Sequence, residues 1–109
     1  MDVPRIDAWL LHCLAVLVRQ SNVTRAGAEL GLSQPACSST LARLRLLFQD
    51  PLLVKSGSGM VPTARAMELA TRAEKVLDEL RAMVSVNPAL DPLALEANVT
   101  IAAMDLVRM

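Results

Sequence analysis

The segment from Asn22 to Ser39 constrains the fold most, because two short helical stretches meet there across a corner of two residues. Asn22-Val23-Thr24-Arg25-Ala26-Gly27-Ala28-Glu29-Leu30 reads as a helix capped by Asn22, Gly31-Leu32 as the corner, and Ser33-Gln34-Pro35-Ala36-Cys37-Ser38-Ser39 as the start of the next helix. Gly31 supplies the left-handed conformation that ends a helix at little steric cost. The Ser33 hydroxyl is placed to cap the following helix, and Pro35 suits a first turn whose N–H groups lack intrahelical partners. Ala26, Gly27 and Ala28 are small enough to let the two helices approach closely, and Leu32 plugs the corner. The second helix then offers a polar N-terminal edge of short side chains, Gln34, Ser38 and Ser39, with the positive end of its dipole. Such an edge suits a groove lined by phosphates. An ordinary solvated helix face has the same composition, and these residues alone leave both readings open.

The flanking elements follow from apolar spacing and caps. A first helix is expected over Ala8–Gln20, capped by Asp7, with Leu10, Leu11, Leu14, Leu17 and Val18 on its apolar side. The helix beginning after Ser33 should run to Phe48, burying Cys37, Leu41, Leu44 and Phe48. Gln49-Asp50-Pro51 stops it. Leu52-Leu53-Val54, a turn over Lys55-Ser56-Gly57-Ser58-Gly59, and the returning Met60-Val61 read as a two-strand hairpin. Pro62-Thr63 opens a fourth helix, capped by Thr63 and reaching about Val84. Along it Ala66, Leu69, Ala73, Val76, Leu80 and Met83 follow at intervals of 3, 4, 3, 4 and 3 residues, a heptad seam. That seam packs either on its own domain or on a second copy of the chain. Glu68 with Arg72, and Asp78 with Arg81, are spaced for ion pairs on the solvated faces. Asn87 to Pro92 reads as a linker, and Asn98 to Ala103 as the start of a strand. A lone strand cannot fold, so this end reads as the opening of a further domain and the chain as a truncated piece of a longer protein.

Composition narrows the function. The 109 residues are enough for one hydrophobic core, built without aromatics, since these are only 2% against 53% hydrophobic. A mean hydropathy of +0.40 is high for so small a domain and favours apolar surface hidden by a partner chain. The longest apolar run, Trp9 to Val18, is broken by His12 and too short to cross a bilayer. Met1-Asp2-Val3-Pro4-Arg5 lacks the pattern of a secretion signal, so the cytoplasm is expected. The net charge of zero conceals a split: residues 1–65 carry seven bases and four acids, a net +3, and residues 66–109 four bases and seven acids, a net −3. A basic half beside an acidic half suits a local patch for a polyanion. Cys13 and Cys37 are read as buried free thiols. One histidine and no paired-cysteine spacing argue against zinc, and no cofactor is expected. Gly57-Ser58-Gly59 is followed by no lysine and hydroxyl residue, so it is a turn and not a phosphate cradle. A nucleophilic Ser38 or Ser39 would have only His12 as a base, and an enzyme is not expected. The rival to a DNA-binding module is a small helical dimeriser that uses the same corner for protein contacts.

Val23-Thr24-Arg25-Ala26, then Leu30-Gly31-Leu32-Ser33-Gln34-Pro35-Ala36-Cys37-Ser38 and Leu41-Ala42-Arg43-Leu44, resembles the helix-turn-helix signature of the LysR-type transcriptional regulators. Asp50-Pro51-Leu52-Leu53-Val54-Lys55, the glycine turn and Val61-Pro62-Thr63 resemble their wing and the start of their linker helix. The wording around Leu44-Arg45 and Phe48-Gln49-Asp50-Pro51-Leu52 is similar to the branch holding nodulation and aromatic-catabolism regulators. The resemblance spans about Ile6 to Val84 and then the first strand of the family's effector domain. It implies a mainly α fold: a winged helix-turn-helix, three helices plus a two-strand β-hairpin wing, followed by a long linker and dimerisation helix. The implied divisions are a DNA-binding domain at 1–62, the linker helix at 63–85, and a hinge with the start of an effector-binding domain at 86–109. The implied partners are double-stranded promoter DNA carrying an inverted repeat, and a second copy in a homodimer, often a tetramer in the family. RNA polymerase is a further implied partner, and a small-molecule inducer is expected only for the missing effector domain. Carried over by position, Gln34, Pro35, Ser38 and Ser39 lie where relatives touch bases or adjacent phosphates. Thr24 and Arg43 would contact the backbone, Lys55 would reach the minor groove from the wing, and Arg25 and Ser33 complete the set. The seam Ala66, Leu69, Ala73, Val76, Leu80 and Met83 would form the dimer. One departure is Ser39, where many relatives carry arginine, so direct guanine reading from that position is not implied.

Overall fold

Each helix starts where a side chain satisfies a backbone N–H that the helix leaves unpaired. The computed structural model describes residues 3 and 5–85, and the expected linker at Asn87 to Pro92 and strand at Asn98 to Ala103 lie outside them. The elements are α1 (Ala8–Gln20), α2 (Val23–Leu30), α3 (Gln34–Phe48), β1 (Leu53–Ser56), β2 (Gly59–Pro62) and α4 (Ala64–Val84). Asp7 Oδ1 accepts from Leu10 N at 2.9 Å, and Asn22 Oδ1 from Arg25 N at 2.8 Å. Ser33 Oγ accepts from Ala36 N at 3.2 Å, and Thr63 Oγ1 from Ala66 N at 2.9 Å. Each such cap stabilises its helix by about 1 kcal/mol. The four helices therefore begin where the sequence indicates.

The core forms around α1. Leu10, Cys13, Leu14, Val16 and Leu17 of α1 meet Ala26 and Leu30 of α2, Cys37, Leu41 and Leu44 of α3, and Leu52, Leu53, Ala66 and Ala73. The buried part of α1 is wider than one amphipathic stripe and includes Ala15. A helix enclosed on several sides buries several faces. Leu14, Leu17 and Leu44 are at most 1% exposed, so truncating any one to alanine should cost about 2–5 kcal/mol. Phe48, expected in the α3 stripe, is only partly buried at the edge of this core.

The hairpin is tighter than the glycine-rich stretch suggests. Leu53 pairs with Pro62, Val54 with Val61, Lys55 with Met60 and Ser56 with Gly59, antiparallel, leaving only Gly57-Ser58 as the turn. Lys55 and Ser56 therefore belong to a strand, not to the turn. Gly57, at φ +62°, makes the reversal possible. Leu52 precedes the strand with φ +64°, a left-handed conformation that bulky residues seldom adopt, and its side chain is 1% exposed.

The seam of α4 divides. Ala66 and Ala73 are buried and Leu69 packs against the core, so the first part of the stripe has its partner within its own domain. Of the two partners open to the seam, its own domain takes this first part, which joins the core cluster that also holds Leu52 and Leu53. Leu77, outside the expected seam, is buried as well. Val76, Leu80 and Met83 remain 45%, 38% and 78% exposed. The chain divides after Glu79, and the described part of the second unit is the end of α4, Leu80 to Val84, with Ser85. Among the described residues, no helix is long and apolar enough to cross a membrane.

Candidate nucleic-acid interface

The α2–α3 corner shapes this site. Leu32 N donates to Gly27 O at 2.8 Å, and Gly31 sits at φ +73°. A Cβ on Gly27 would lie 3.0 Å from Leu32 O and 3.4 Å from the Cys37 Cβ, so the absent side chain is what lets the helices close. Of the three small residues, Ala26 and Gly27 are buried and Ala28 is exposed. Cys37 fills the contact from α3, and Cys13 lies in the same core, both as free buried thiols. Burial, aided by Cys37, pushes the Cys13 thiol up to about 11.

With Cys37, Leu41 and Leu44 turned inward, α3 presents its polar positions outward. Gln34, Pro35, Ser38, Ser39 and Arg43 are all exposed. Gln34 and Ser38, and Ser39 and Arg43, are four residues apart and so neighbours along the helix. Thr24 and Arg25, at the start of α2, are exposed, as is Lys55 in β1. Ser33 is exposed but its hydroxyl is committed to the cap, which makes its first role structural. All nine expected contact residues thus reach solvent.

The carboxylates of Glu29 in α2 and Asp50 beyond the end of α3 are both engaged in hydrogen bonds. Arg19 of α1 donates Nη1 to Glu29 Oε1 at 3.0 Å, and Gln20 Nε2 donates to the same oxygen at 2.8 Å, tying α1 to α2. These hydrogen bonds, Arg19 first and Gln20 second, draw the Glu29 carboxyl down to about 2. Asp50 accepts the Thr63 hydroxyl at 2.7 Å and Leu52 N at 2.9 Å, and these contacts hold its carboxyl below the usual range. Sequence spacing missed one cation. Arg45 donates Nε to Pro51 O at 2.7 Å and Nη2 to Leu53 O at 3.0 Å, binding the end of α3 to the start of the hairpin. Only the second arginine of Arg43-Leu44-Arg45 does this, and no local pattern distinguishes the two. The rings of Trp9 and His12 on α1 lie 5.7 Å apart, tilted by 51°. Among the described residues no cluster of His, Cys, Asp and Glu could hold a metal ion.

Comparison with known proteins agrees with this geometry. The family model "Bacterial regulatory helix-turn-helix protein, lysR family" matches residues 9–67. The chain is similar to the HTH-type transcriptional regulator SyrM 1 of Sinorhizobium fredii, 48% identical over 79% of this chain and 25% of that protein. A probable transcriptional regulator from Pseudomonas aeruginosa superposes with a TM-score of 0.66 at 37% identity, over 74% of this chain and 27% of its own. The BenM DNA-binding domain in its benA site 1 DNA complex has the same fold, TM-score 0.66 at 22% identity, over 72% of this chain and 89% of that one. The chain spans only about a quarter of the length of curated relatives such as SyrM 1. From Trp9 to Met67, through the corner, the recognition edge and the hairpin, the chain belongs to the lysR family of bacterial regulatory helix-turn-helix proteins.

Proposed function

We propose that this chain binds promoter DNA sequence-specifically, with the N-terminal half of α3 in the major groove and the β1–β2 wing at the minor groove. The observation that carries the reading is the exposed edge of Gln34, Pro35, Ser38 and Ser39, held out from the core by the Gly27–Leu32 corner. Short polar side chains on a protruding helix can approach base edges, and the flanking cations suit phosphates. Thr24, Arg25 and Arg43 then hold the backbone, Lys55 meets it from the wing, and Ser33 orders the helix start. The BenM complex with DNA supports the same use of the fold.

In this reading residues 1–62 form the DNA-binding domain, 63–85 the linker and dimerisation helix, and 86–109 a hinge and the start of an effector-binding domain. The exposed Val76, Leu80 and Met83 pair with a second copy, so that two recognition helices address an inverted repeat. The protein acts in the cytoplasm as a regulator, without catalytic activity. The rival reading, a helical module for protein contacts alone, leaves Arg43 and Lys55 without a role.

An electrophoretic shift with promoter fragments, repeated at several salt concentrations, tests the proposal. Affinity should fall steeply with salt. Arg43→Ala and Lys55→Ala should weaken binding to all sequences alike, each lowering the slope of log K against log salt by about one. A chain that retards no DNA at low salt refutes the proposal.

A further inference from the structure

The backbone between α3 and the wing is held from both sides by charged side chains. Arg45, on the last turns of α3, spans the carbonyls of Pro51 and Leu53 with the two prongs of its guanidinium, at 2.7 and 3.0 Å. The same Pro51 carbonyl accepts from Leu53 N at 2.6 Å, and the Leu52 carbonyl accepts from Thr63 N at 3.0 Å. From the other side Asp50 Oδ2 accepts from Leu52 N and from the Thr63 hydroxyl, and that hydroxyl in turn caps α4 at Ala66 N. Between these grips sits Leu52 in its left-handed conformation, its side chain sealed in the core. Recognition helix, wing and α4 converge on this one joint.

Two different jobs are being done there. Burial of Leu52 and Leu53 anchors the base of the hairpin, an apolar contribution that has no preferred direction. Direction needs oriented bonds, and a planar guanidinium gripping two carbonyls two residues apart supplies them. Lys55 stands two residues beyond the second of those carbonyls, on the same strand and paired there with Met60. We infer that Arg45 is a positioning residue, which sets the angle between α3 and the wing so that Lys55 reaches DNA while α3 occupies its groove. Asp50, through Thr63, sets the same joint against the start of α4. The inference rests on the DNA-binding reading above.

The test is a double-mutant cycle in the full chain, read as salt dependence on promoter DNA. Lys55→Ala should lower the salt slope by about one, and Arg45→Gln should lower it by about one as well, although Arg45 is engaged with carbonyls. If Arg45 acts by placing Lys55, the double variant also loses about one, and Lys55→Ala costs nothing further in the Arg45→Gln background. Loss of about two in the double variant means that Arg45 meets phosphate itself, and overturns the inference while leaving DNA binding intact. An Arg45→Gln chain that loses its helical circular dichroism also overturns it, because the side chain would then be holding the fold. Asp50 provides an independent arm. Asp50→Asn keeps an oxygen that can accept from both Leu52 N and the Thr63 hydroxyl and should bind as wild type, whereas Asp50→Ala should lose the Lys55 contribution. Equal binding by the two Asp50 variants contradicts the role assigned to the joint. A wild-type chain that binds no DNA removes the DNA-binding reading and the inference together, a pattern distinct from all of these.

Discussion

Gln34 and Ser33 are adjacent in sequence and exposed alike, yet the structure gives them different work. The Ser33 hydroxyl is spent on Ala36 N, whereas the exposed Gln34 amide has no hydrogen-bond partner among the described residues. Ser33→Ala should therefore lower stability by about 1 kcal/mol in urea denaturation and weaken binding to every sequence in proportion. Gln34→Ala should leave the urea midpoint alone and erase discrimination of about 1–3 kcal/mol between the operator and its variant at one base pair. Unchanged discrimination in the Gln34 variant would remove that residue from base reading. Gly27 raises a question of sign. Alanine in a helix interior is better than glycine by about 1 kcal/mol, but here the new methyl meets Leu32 O at 3.0 Å. That oxygen belongs to a corner already tied by the Leu32 N to Gly27 O bond and cannot yield freely. Gly27→Ala is accordingly expected to destabilise by about 1–2 kcal/mol, an overpacking cost that exceeds the helix gain. A higher urea midpoint for this variant would mean that the corner gives way.

At the scale of elements, α1 and α2 are joined at their polar edge by Arg19, Gln20 and Glu29. Because the folded-state carboxyl of Glu29 lies at about 2 and its ordinary value is 4.5, the stabilisation is present above the ordinary value and is lost as pH falls from there toward the folded one. The pair is exposed, so solvent and salt screen it and the contribution is small. The urea midpoint of Glu29→Gln should therefore fall below that of wild type at pH 7, and the gap should narrow through about pH 4.5 to 2 and in high salt. Other acid-sensitive groups, Asp50 among them, are common to both proteins and cancel in the difference. A gap that persists unchanged at the acid end would mean that Glu29 contributes by packing rather than by charge. The α3–wing joint obeys a similar logic, with charged groups orienting what apolar burial has already anchored.

For the whole molecule, the question is what covers the outer face of α4. Ala66, Leu69 and Ala73 are drawn to the core, but Val76, Leu80 and Met83 follow one another along the rest of the helix with substantial exposure. Glutamate at Val76 or Leu80 would be solvated in a lone chain and desolvated without a partner charge in a dimer seam, at a cost of several kcal/mol. Sedimentation of Val76→Glu should give a monomer with near-native helical circular dichroism and weak operator binding. Persistence of the dimer in that variant would exclude this face as the seam. Complete unfolding would show that the face is needed within the chain.

The helix limits were legible in the sequence because they are set locally. Asp7, Asn22, Ser33 and Thr63 each satisfy an N–H three residues away, and Gly31 needs only its own freedom at φ. The polar edge of α3 was legible for the same reason, since helical spacing alone separates Gln34, Ser38 and Ser39 from Cys37, Leu41 and Leu44. Tertiary structure decided what depends on residues meeting across the chain. The hairpin turn shortened to Gly57-Ser58 because strand pairing outcompeted a loose glycine loop, and so Lys55 became a strand residue. Leu52 entered a conformation that its side chain alone disfavours, because the core holds the side chain while Asp50 and Thr63 hold the backbone. The heptad spacing of α4 marked an apolar stripe but not its partner, and packing assigned the first part to the core. Arg43 and Arg45 look alike in a sequence. Only the carbonyls of Pro51 and Leu53, brought within reach by the fold, distinguish the cation left to solvent from the one that joins helix to wing.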